Sequence, residues 1–248
     1  HQALRIREQL YPPDHLDIAD SCNNIGLLYD RQGRFDEAEE SLTRALEIRE
    51  KLLGESHIDV AMSLNSLASV QYSLENLEEA EKLYRKALRI YRDKLSPDHD
   101  EIATVLNNLG QLLASQKRYS EAEELFVEAL KIQKKVFEDP HPDIARTIGG
   151  LAIVYEEQGL FDKAEEFYLR ALSMKKVISG DDTFDIAISY NNLAKFYVES
   201  SQPLKAKEPY LKAIDILERQ VGSEHPATKK VKENLKGIKG LSSQLNYS

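Results

Sequence analysis

The 248-residue chain has no tryptophan, two methionines and a single cysteine, Cys22, so no disulfide can form within it. A lone cysteine fits a reducing, cytoplasmic setting. No apolar run approaches the roughly 18 residues that a membrane span needs, and no secretory leader is visible. Basic residues are scarce relative to acidic ones, 33 against 42, and the formal net charge is −9. A nucleic-acid backbone calls for basic patches and an anionic membrane for polybasic segments, so neither is expected as a partner. A glycine-rich phosphate loop is also missing, and no nucleophile, base and orienting group recur together. The chain is therefore expected to be no enzyme and to need no cofactor. It opens at His1 in the middle of a helical pattern, as a segment of a longer protein would.

What is present is self-similarity. Ile18-Ala19, Val60-Ala61, Ile102-Ala103, Ile144-Ala145 and Ile186-Ala187 recur every 42 residues. Behind them come Asn23-Asn24-Ile25-Gly26, Asn65-Ser66-Leu67-Ala68, Asn107-Asn108-Leu109-Gly110, Gly149-Gly150-Leu151-Ala152 and Asn191-Asn192-Leu193-Ala194. A fixed period of this length signals stacked helical units, each touching its neighbours. In each unit a first helix (A) carries apolar or small residues at i, i+3, i+4 and i+7, as at Cys22, Ile25, Gly26 and Tyr29. A second helix (B) carries Phe35, Ala38, Leu42, Ala45, Leu46 and Ile48 in the first unit. Alanines in register at 38, 80, 122, 164 and 206, and at 45, 87, 129, 171 and 213, mark close helix approach.

The pattern divides residues 1–241 as one array. It has a partial unit over 1–10, full units over 16–54, 58–96, 100–138, 142–180 and 184–222, and a polar capping helix over 226–240. Residues 242–248 are expected as a disordered tail. Pro209, inside the fifth B helix, should kink that helix or displace its start. The in-register histidines His15, His57, His99, His141 and His225 stand too far apart for one metal ion. With Thr183 in the same place, and acidic residues two positions later, they read as helix-start devices. Cys22 belongs to the packing face. Glutamate pairs such as Glu39-Glu40 and Glu123-Glu124 read as a solvated face.

Tyr190, Leu193-Ala194, Tyr197, Ala206, Tyr210 and Ala213 together resemble the tetratricopeptide repeat (TPR) signature. The run from Ala45-Leu46 through Leu52-Leu53-Gly54 to His57-Ile58-Asp59-Val60-Ala61 is similar to the long, 42-residue repeat of kinesin light chains. The resemblance implies an all-α fold, a right-handed superhelical solenoid of antiparallel helix pairs. It also implies an extended peptide held in a concave groove lined by A helices.

On the A helices a second stripe turns away from the packing face. It supplies the expected groove residues Asn23, Arg31, Asn65, Ser69, Asn107, Gln111, Arg146, Asn191 and Lys195. A carboxamide both donates and accepts, so a row of them can hold a peptide backbone with little demand on its sequence. In each Asn-Asn pair the first residue is assigned to the groove and the second (Asn24, Asn108, Asn192) to a neighbouring helix. Gly149 replaces one asparagine and is expected to open a pocket beside Ile153. Ser73, Ser115, Glu157 and Glu199 follow Arg31 in register, so the groove reads as mixed in charge. The expected partners are peptide segments of other proteins, as for a motor-cargo adaptor. The alternative is a segment of the same full-length chain, with the array as the sensor or autoinhibitory arm of a signalling NTPase.

Overall fold

A helix persists where apolar side chains recur at three- and four-residue spacing and its terminal N–H and C=O groups find partners. Both conditions recur along this chain. A computed structural model describes residues 2–245, with side chains through 238. The A helices are α2 (Leu16–Arg31), α4 (Ile58–Ser73), α6 (Asp100–Ser115), α8 (Pro142–Glu157) and α10 (Phe184–Glu199). Their B helices are α3 (Phe35–Leu53), α5 (Leu77–Lys94), α7 (Tyr119–Val136), α9 (Phe161–Ser179) and α11 (Pro203–Val221). Helix α1 (Gln2–Leu10) precedes them and α12 (Pro226–Leu245) follows. The chain is all-α, built of paired antiparallel helices.

Two compact units divide it, His1–Ile132 and Gln133–Ser248, where the sequence reading drew one array over 1–241. The boundary falls inside α7. In the first unit α2 packs on α3 and α4 on α5, and the A helices α2, α4 and α6 touch side by side. In the second unit α8 packs on α9, α10 on α11, and α12 on both α11 and α10.

Within a pair, small residues set the separation. Ala38, Ala80, Ala122, Ala164 and Ala206 are wholly buried. At Gly26 the approach is closest, since an added Cβ would lie 2.6 Å from Leu42 Cγ. Cys22 is in the core with Ile18, Ala45 and Ile48, and burial pushes its thiol up from the ordinary range.

The helix ends explain the recurring histidines. Nδ1 of His15, His57, His99 and His141 accepts the backbone N–H two residues on, at 3.1, 3.1, 3.3 and 3.2 Å. His225 does the same for Ala227, and Thr183 Oγ1 accepts from Ile186. Each satisfies one of the N–H groups a helix start leaves without an internal partner. Stacking of Tyr11 on His15 and of Phe137 on His141, with centroids 3.9 and 3.8 Å apart, fixes two of the rings.

Pro209 neither interrupts α11 nor displaces its start, since every B helix begins 42 residues after the last and Pro203 opens α11 in that register. Proline is tolerated at that first position because its missing donor would be unpaired anyway. Helix α12 runs past 240 into the stretch expected as a tail, of which 246–248 lie outside the described residues.

Candidate functional site

Asparagines bond across neighbouring helices at two places. Asn108 Nδ2 on α6 donates to Asn65 Oδ1 on α4 at 3.1 Å. Asn234 Nδ2 on α12 donates to Asn191 Oδ1 on α10 at 3.3 Å. Asn108 thus holds the neighbouring helix, as assigned, and its partner is the asparagine one repeat back, whereas no such bond is made at Asn192. Where the partner is lost the bond is lost. Ser66 stands in register opposite Asn23, and Asn23 Oδ1 is buried without a partner. Gly149 stands opposite Asn192, which lies exposed.

This revises the expected site. Asn23 and Asn107 are 4% and 3% exposed, so neither offers its side chain to a ligand. Asn65 and Asn191 are half-buried and commit their carbonyl oxygens to the ladder. The outward members are Arg31, Gln111, Arg146 and Lys195, all exposed, with Ser69 partly so. Arg146 also reaches Asp143 Oδ1 at 3.2 Å. Gly149 opens onto free space, with nothing within 4 Å of an added Cβ, beside an exposed Ile153.

A second set of contacts joins each B helix to the next A helix. Arg49 is 2% exposed; its Nη1 donates to Ser63 Oγ at 2.7 Å and to the Asp59 carbonyl at 3.3 Å, and its Nη2 donates to Asp20 Oδ1 at 2.7 Å. Arg7 bonds Ser21 and the Asp17 carbonyl in the same way. In the second unit Thr147 Oγ1 donates to Gln133 Oε1 at 2.7 Å, and Lys175 reaches Ser189 at 3.2 Å. Sequence reasoning missed these pairs. Their signal is a residue and the one fourteen later changing together: Arg7 with Ser21, Gln133 with Thr147, Leu217 with Val231. The glutamate pairs need a related correction. Glu39 accepts from Gln71, and Glu165 from Tyr197 and Lys205; Glu81, in the same register but followed by Lys82, accepts from Arg118. The first glutamate of such a pair faces the following helices, and only the second is solvated.

Two carboxyls meet on the second unit's A-helix side. Tyr168 donates from its hydroxyl to Glu156 Oε2 at 2.5 Å. Burial, and after it the charges of Glu199 and Glu157, push the Glu156 carboxyl up to about 7, against the lowering effect of the Tyr168 bond. Beside Glu199, α10, α11 and α12 enclose an open cavity of about 370 Å³ lined by Lys195, Val198, Glu199, Tyr210, Glu233, Asn234, Gly237 and Ile238. Among the described residues no group of three or more His, Cys, Asp or Glu could hold a metal ion, and no helix is long and apolar enough to cross a membrane.

The tetratricopeptide repeat model matches residues 1–51, 17–93, 59–135 and 101–176, and a second model of the same description matches 186–227. The chain belongs to the tetratricopeptide repeat family. Among curated proteins none matches it. Solved structures similar to this TPR chain include a Podosopora anserina protein described as a kinesin light chain with nearly identical TPR-like repeats. It is 22% identical, with a TM-score of 0.69 over 84% of this chain and 96% of that one. BtubC (BKLC) from P. vanneervenii is 20% identical, with a TM-score of 0.74 over 91% and 90%. PilF of Pseudomonas aeruginosa is 23% identical, with a TM-score of 0.55 over 89% and 91%. At these identities the likeness is one of fold. The TPR fold presents A-helix side chains in register on each unit, an arrangement suited to contact with another protein.

Proposed function

We infer that the chain is a non-catalytic scaffold that holds an extended peptide along the A-helix face, in the manner of a kinesin-light-chain cargo-binding domain. The observation that carries this reading is the asparagine ladder. By joining α4 to α6 and α10 to α12, it sets neighbouring A helices side by side at a fixed register. Ser69 and Gln111 are then aligned, one turn along from Asn65 and Asn107, while Arg146 and Lys195 stand on α8 and α10 of the other unit. The helix backbones bond internally, so recognition falls to these side chains. An extended peptide, whose own backbone groups need partners, suits donors and acceptors spaced at helix-to-helix intervals.

A peptide-array screen of wild type against Ser69→Trp and Gln111→Trp tests the reading. Both positions have room for bulk and neither belongs to the ladder. Loss of most hits with unchanged thermal stability is the expected result. Undiminished binding by both variants would move the site off this face.

A further inference from the structure

We propose that the cavity enclosed by α10, α11 and α12 receives a basic side chain of the ligand, arginine in particular; this rests on the peptide-binding reading above.

Tyr210 forms the floor. It is 2% exposed, lines the cavity, and its hydroxyl has no hydrogen-bond partner among the described residues. Its counterpart one unit earlier, Tyr168, gives its hydroxyl to Glu156. At the place in register with Glu156, the second unit's next A helix has Val198, which cannot accept. A hydroxyl that opens onto a cavity without a protein partner is available to a ligand. The phenol's environment agrees, since burial and then the Glu199 charge hold it above its ordinary range, with no bonded group contributing.

The walls select the charge. Glu199 and Glu233 stand exposed on the rim, from different helices, and among the described residues that line the cavity Lys195 is the one cation. The rim therefore keeps a net negative charge, next to the Glu156 carboxyl. A guanidinium has five N–H donors in a fixed fork and no acceptor, so two carboxylates and a phenol oxygen suit it. An acidic side chain would find chiefly repulsion. The aliphatic stem of an arginine or lysine can lie along Val198, the Tyr210 ring and Ile238. Gly237 keeps the entrance clear: its equivalents on the earlier A helices carry side chains, and a Cβ built there meets nothing within 4 Å. The volume lies in the range of about 300–1,000 Å³ typical of ligand pockets.

The test uses fluorescence anisotropy with labelled decapeptide pools, randomised except at one central position held as arginine, citrulline, leucine or glutamate. Citrulline keeps the shape of arginine and loses its charge. The arginine pool is expected to bind about tenfold more tightly than the citrulline pool, the difference expected of a charge-assisted contact. Glu199→Gln combined with Glu233→Gln should erase that difference. Gly237→Leu, which fills the cavity and leaves both carboxylates, should erase it too. Tyr210→Phe, which keeps the packing ring, should weaken arginine binding a few-fold. Melting temperatures equal to wild type establish that each variant is folded. Preference for the leucine or glutamate pool, an arginine preference that survives both cavity variants, or self-association abolished by Gly237→Leu would overturn the proposal. If pools bind without regard to the central residue and Ser69→Trp still abolishes binding, only the arginine assignment falls. If no pool binds at all, the groove reading falls with it.

Discussion

At the scale of single residues, burial holds the Glu156 carboxyl near neutrality. Glu156 has an ordinary value of 4.5 and is held at about 7 in the folded chain, chiefly by burial. Between those two values the folded state keeps a proton that the unfolded chain has released. Stability must then fall as pH rises through that window, because the folded state binds more protons. Replacing Glu156 with glutamine removes the titration and keeps an acceptor for Tyr168. Melts between pH 5 and pH 7.5 should show wild type losing stability more steeply than Glu156→Gln. Parallel profiles would show that the carboxyl is not held protonated.

At the scale of the helix, the starts are the most uniform devices in the chain. Five histidines and one threonine cap six helices through a side-chain acceptor. His57→Ala should cost about 1 kcal/mol in urea unfolding, the usual price of losing an N-cap, whereas His57→Asn should cost much less. Equal stability of all three proteins would discard the capping role. These caps were legible from sequence, because a helix start needs an acceptor, and the acidic residue two positions later suits the helix dipole. The turns after the A helices were less so. Positive φ recurs at Gly33, Glu75, Lys117, Gly159 and Ser201, in strict register, yet only two of the five are glycine. The other three are glutamate, lysine and serine, so composition could not mark them.

At the scale of whole units, stability in a stacked array depends on the interfaces between neighbouring pairs. Arg49 holds one such interface, linking α3 to α2 and α4 through Asp20, Asp59 and Ser63. Arg49→Ala removes a buried cation and leaves the Ser63 hydroxyl and a backbone carbonyl without their partner. A loss of about 2–4 kcal/mol is expected. Hydrogen exchange should show α2 and α3 losing protection ahead of α5. A variant with the wild-type urea midpoint would mean that the pairs are coupled by apolar packing alone.

The period, the helix pairing, the buried alanines, the caps and the membership in a repeat family are all legible in the order of residues along the chain. Each follows from local spacing or from chemistry within a turn or two of chain, which a single strand of text contains. Which polar residues face outward depends on how the helices pack. Asn23, Asn65, Asn107 and Asn191 look alike in sequence, yet two are buried and two are bonded to the next A helix. Likewise Tyr168 and Tyr210 occupy one register, and the loss of an acceptor twelve residues earlier leaves one hydroxyl bonded and the other facing a cavity. The reason is physical: the rotation and separation of helices belonging to different units set these distances, and those depend on packing summed over both surfaces.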